Sequence, residues 1–125
     1  MLLKPPSTHP VGLPYIARHY PKNGDVQYLK EGGQLLGISH NAMYREDAVH
    51  LDPGDVFVMY TDGVTEVFND EGSEFGLDGL IEVIKANHHR SAEQIQQAIH
   101  AAVSEYSGQN HVFDDVTMVV VKRRA

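Results

Sequence analysis

Apolar positions along the chain change period several times, and each change predicts an element. Val56-Phe57-Val58-Met59-Tyr60 is continuous rather than alternating, the pattern of a strand buried on both faces. Leu77, Leu80, Ile81 and Ile84 recur at i, i+3, i+4 and i+7, which is one stripe of a helix. Ser91 with Gln94 three residues on forms a capping-box signature for a second helix. Ile95, Ala98, Ile99, Ala102, Val103 and Tyr106 carry that helix forward, and Gly108 is its stop signal. Val116 to Lys122 is a closing strand, β-branched and apolar on both faces.

Upstream the pattern is weaker. Pro5, Pro6 and Pro10 keep the first dozen residues extended or irregular. Leu13 to Tyr20 and Val26 to Leu29 read as a hairpin about Pro21-Lys22-Asn23-Gly24, where Pro presets φ and Asn-Gly tolerates positive φ. Gly32-Gly33 to Gly37 interrupts before a weaker strand at about Ala42 to Leu51. Leu51-Asp52-Pro53-Gly54-Asp55 is a tight turn. Several strands, two helices and one strand make a single α+β domain over residues 1–125, a mostly antiparallel sheet covered by a helix pair. Tyr15, Tyr28, Phe57, Tyr60, Phe68, Phe75 and Phe113 are read as core and sheet packing.

Charge and composition narrow the function classes. Ten Lys and Arg against seventeen Asp and Glu give a net charge of −7, which disfavours nucleic acid as a partner. The basic run Lys122-Arg123-Arg124 reads as a solvated strand end. With no cysteine, disulfide scaffolds, thiol catalysis and Cys-based zinc sites are excluded. No apolar run approaches the roughly 20 residues of a membrane span, and no signal-peptide h-region is seen, so a cytoplasmic domain is expected. The eight histidines lack a ligand-like helical pair and are not expected to hold a metal, although His9 at a strand entry is notable.

Two acidic positions stand out by their location. Asp62 follows the apolar run 56–60, and Asp114-Asp115 precedes the closing strand. Carboxylates at the ends of buried strands are costly to desolvate unless compensated. They serve either as turn caps or as oxygen ligands for a hard cation such as Mg²⁺ or Mn²⁺.

The run Leu51 to Glu66, with Gly54-Asp55 and Tyr60-Thr61-Asp62-Gly63-Val64-Thr65-Glu66, resembles the GD…YTDGvtE segment of the SpoIIE/RsbU-type, PP2C-like (PPM) serine phosphatases. Phe75-Gly76 resembles the FG that follows it there, and Asp114-Asp115-Val116-Thr117 resembles that family's closing DDiT motif. His9-Pro10 is similar to its strand entry, with Ser7-Thr8 in place of Ala-Gly. The resemblance runs collinearly from His9 to Lys122. It implies half of a β-sandwich flanked by helices and a metal-dependent phosphoserine or phosphothreonine phosphatase using Mn²⁺ or Mg²⁺. Asp62 and Asp114 are its implied metal ligands. Asp115 is not expected to ligate, because consecutive strand residues face opposite ways. The implied partner is a phosphoserine-containing regulatory protein of the anti-anti-sigma type.

The family's upstream acidic strand and Gly-Asp…Gly-His-Gly motif, which bridge the metals, have no match here. The chain is therefore expected to be the C-terminal part of a catalytic domain, to bind metal weakly if at all, and to form a homodimer through uncovered apolar surface. The competing expectation is a catalytically inactive interaction module derived from the phosphatase fold.

Overall fold

A computed structural model of the chain describes residues 16–20, 24, 26–29, 37, 39–44, 48–108 and 116–124. Among these, four strands form one sheet: β1 (Ile16–Tyr20), β2 (Gln27–Leu29), β3 (Val56–Tyr60) and β4 (Met118–Lys122). Their spatial order is β2-β1-β3-β4, and every pairing is antiparallel. Three helices accompany them: α1 (Asp62–Thr65), α2 (Gly76–Asn87) and α3 (Ala92–Ser107). The domain is α+β, as its residue pattern predicts.

β3 lies between β1 and β4 and is the element most deeply covered. Val56, Val58 and Tyr60 on one face are at most 1% exposed. They pack with Leu80 and Ile84 of α2 and with Ile95, Ile99 and Val103 of α3. The stripe residues Leu77 and Ile81 flank that core half-buried. α3 starts as its capping box requires: the Gln94 amide donates to Ser91 Oγ at 3.2 Å, and the Ser91 amide donates to Gln94 Oε1 at 3.2 Å. It ends at Gly108, whose φ of 57° lies in the left-handed region that glycine enters without strain.

The turn before β3 also follows its residues. Pro53 precedes Gly54 at φ 96°, and the Asp55 amide donates to Asp52 O at 2.9 Å, the signature of a type II turn. Asp55 is buried there, and its Oδ2 accepts from the Asp52 amide.

Three expectations need correction. Residues 42–44 and 48–51 form no strand; instead Val49 and Leu51 pack beside Phe57 on the sheet face away from the helices. β4 is covered on one face only, as the expected open apolar surface requires: Met118 and Val120 pack on the helical core, while Val119 and Val121 are each 43% exposed. Phe68 is exposed rather than a core residue. The basic C-terminal run is not simply solvated: Lys122 Nζ donates to His88 O and Arg90 O, both at 2.6 Å, and an Arg123 guanidinium nitrogen donates to Leu51 O. Tyr15, Phe113, the Tyr28 side chain, His9 and the turn residues 21–23 lie outside what is described.

Candidate metal centre

The corner where β3 ends and β4 begins carries the candidate chemistry. The last ladder pair is Tyr60 with Met118, so Thr61 comes opposite Thr117. Thr61 is buried and extended (φ −87°, ψ 162°), and the chain turns immediately into α1 with Asp62 as its first residue. That one-turn helix was not evident from periodicity. Four residues carry no repeat, and Val64-Thr65 are β-branched and read as strand formers. The helix holds because Gly63, Val64 and Thr65 are all buried against the core. Its ends close locally: the Val64 amide donates to Thr61 O at 3.0 Å, and the Glu66 amide to Asp62 O at 2.7 Å.

Thr61 does not cap α1 with its side chain. Its hydroxyl reaches across to the neighbouring strand instead. The Thr117 amide donates to Thr61 Oγ1 at 3.1 Å, the hydroxyl lies 3.4 Å from Thr117 O as a donor, and the Thr61 amide donates to the same carbonyl at 3.0 Å. The two motifs, 56 residues apart in sequence, are joined at these threonines. The sequence assigns no role to either, and its only signal is a Thr near each motif's Asp, one position before Asp62 and three after Asp114.

Asp62 is half-buried at this corner. Asp114 and Asp115 lie outside the described residues, so the structure places one of the two proposed ligands. Among the described residues, no three His, Asp or Glu side chains gather as a metal cage. The donor type at Asp62 fits Mg²⁺ or Mn²⁺, which take carboxylate oxygens and retain water, but one carboxylate cannot make a tight site. His50 pairs with Asp52 in an exposed contact of 3.2 Å. His88 and His89 lie between α2 and α3, and His100 is exposed on α3. A cavity at the other end of the strands, lined by Gly54, Arg90, Ser91, Lys122 and Arg123 among others, is separate from the Asp62 corner.

Comparison with known proteins places this geometry in context. Residues 10–124 match the family model described as Stage II sporulation protein E (SpoIIE). Protein IcfG of Synechocystis sp. is 32% identical over 95 residues, 76% of this chain and 15% of that protein. Phosphoserine phosphatase RsbU of Bacillus subtilis is 29% identical over 107 residues, 85% of this chain and 31% of that protein. The SiaA-PP2C domain of Pseudomonas aeruginosa has a similar fold, with a TM-score of 0.66 at 23% identity. That match covers 86% of this chain and 42% of the solved one. The chain thus spans less than a third of the length of either curated relative.

Proposed function

This chain belongs to the SpoIIE family, and from that premise we propose that it is the C-terminal part of a metal-dependent protein serine/threonine phosphatase domain. The observation that carries the reading is the threonine junction. It sets Asp62 beside the strand entry that follows Asp114. Asp114 is three residues before Thr117, and three residues of chain reach at most about 10 Å. Asp62 and Asp114 are the proposed ligands for Mn²⁺ or Mg²⁺, with the remaining ligands supplied by sequence outside this chain.

Ions held there would supply an acidified water and charge neutralisation for phosphoryl oxygens, with Asp62 and Asp114 as their ligands from this chain. The described residues would hold the Asp62 carboxylate: β3 and β4 fix the corner, and α1 turns Asp62 out of the sheet. The proposed substrate is a phosphoserine on a regulatory protein of the anti-anti-sigma type, in a cytoplasmic partner-switching system. The similarity to a protein named phosphoserine phosphatase supports the phosphoserine part of this reading. On its own the chain then binds Mn²⁺ weakly at one site and hydrolyses p-nitrophenyl phosphate negligibly. Calorimetric titration tests this, with binding lost in Asp62→Asn and Asp114→Asn. Tight two-site binding by a monomer, or Mn²⁺-dependent hydrolysis abolished by either substitution, contradicts the half-site.

A second reading, an inactive interaction module that pairs with itself, is favoured by the partly open sheet face at Val119 and Val121. In either reading the proposed assembly is a homodimer whose partner's sheet covers this face.

A further inference from the structure

We propose that Thr61 is the positioning residue of the candidate metal centre, its hydroxyl standing in for a backbone carbonyl so that β3 can turn into α1 without releasing β4. This rests on the metal-centre reading above. In an antiparallel ladder, a hydrogen-bonded pair exchanges two bonds, each residue's N–H to the other's C=O. Thr61 and Thr117 make one of these, from the Thr61 amide to Thr117 O. The reverse bond is not made: Thr61 O accepts from the Val64 amide at the start of α1. The Thr117 amide bonds to Thr61 Oγ1 instead.

The substitution solves a local conflict. The carbonyl has to leave the ladder if Asp62 is to head a helix, and the amide it leaves behind at this part-buried position needs another acceptor. Only a side-chain acceptor one bond from Cβ reaches the vacated position, so a Thr or Ser is needed directly before the Asp. The same hydroxyl pins Thr117, from which the chain runs back to Asp114 within three residues. Losing it loosens the turn that carries Asp62 while the core beneath stays packed.

The test compares Mn²⁺ affinity by calorimetry with exchange of the Thr117 amide. Thr61→Val keeps the shape and removes the acceptor. Thr61→Ala removes it with no methyl pressed against the orphaned amide, in case the valine variant does not fold. Thr61→Ser keeps the acceptor. Ser91→Ala, at the α3 cap away from this corner, controls for a comparable loss of stability. The expected result is Mn²⁺ binding weakened by at least about ten-fold in Thr61→Val and Thr61→Ala, the scale of lost outer-shell support. Thr117 exchange is accelerated in both, while Thr61→Ser and Ser91→Ala stay within about two-fold of the parent, well short of that scale. Parent-like Mn²⁺ affinity in folded Thr61→Val or Thr61→Ala overturns the positioning role alone. A parent chain that binds no Mn²⁺ overturns the metal-centre reading and this role together.

Discussion

Replacing Lys122 with methionine keeps the apolar stem and removes the ammonium that ties the end of the sheet to the helix pair. Lys122 is paired with Val56 and half-buried on the helical side. Its Nζ donates at 2.6 Å to His88 O, the C-cap carbonyl of α2, and at 2.6 Å to Arg90 O just before the α3 cap. A cation at a helix C-terminus is also favoured by the helix dipole. Hydrogen bonds from charged donors contribute about 1.5–3 kcal/mol each in favourable cases. Here both carbonyls are near the surface and can turn to water when the ammonium is gone, which leaves a net loss of about 1–2 kcal/mol. With an unfolding entropy of about 2.1 cal/mol/K per residue, 125 residues give roughly 0.26 kcal/mol/K. The Tm of Lys122→Met should therefore fall by about 4–8 °C. Differential scanning calorimetry beside Lys85→Met, an exposed lysine on α2, is the assay. A drop no larger than that of Lys85→Met would refute the tie and return Lys122 to the status of a solvated strand end.

Further outcomes follow from the same packing. Gly79→Ala should fail to stabilise α2 despite a propensity gain of about 1 kcal/mol. The added Cβ would sit 2.9 Å from the Phe75 ring and push it off its edge contact with Tyr106, so a rise in urea midpoint would contradict the packing. Sedimentation equilibrium at micromolar concentration should find a dimer that the double variant Val119→Lys, Val121→Lys converts to a folded monomer; a monomeric parent would dismiss the open face as an interface.

Periodic features could be read from residues alone. α2 and α3 follow from spacings of three and four, the Ser91–Gln94 box marks a start, and β3 is apolar along its whole length. What escaped depends on register or on single turns. α1 is shorter than any period, and it forms because residues 63–65 are buried by elements distant in sequence. Val119 and Val121 look like core residues by composition, but which face of β4 is covered depends on where α2 and α3 pack. The junction of Thr61 with Thr117 arises from a ladder summing β3 and β4 positions, which no local pattern encodes. Asp62 stands out in the sequence by its place after an apolar strand, and in the structure it follows β3 as the first residue of α1. For Asp114 the motif remains the only guide.

Paramagnetic broadening by Mn²⁺ in an amide-resolved NMR spectrum tests the central claim most directly, because the effect falls off steeply with distance from the ion. The account predicts that the amides of Thr61 to Thr65 and of Val116 and Thr117 broaden first, and that Asp62→Asn removes the effect while the fold persists. Broadening centred instead on His50 and Asp52 or on His88 and His89, unchanged by Asp62→Asn, would contradict a metal centre at this corner.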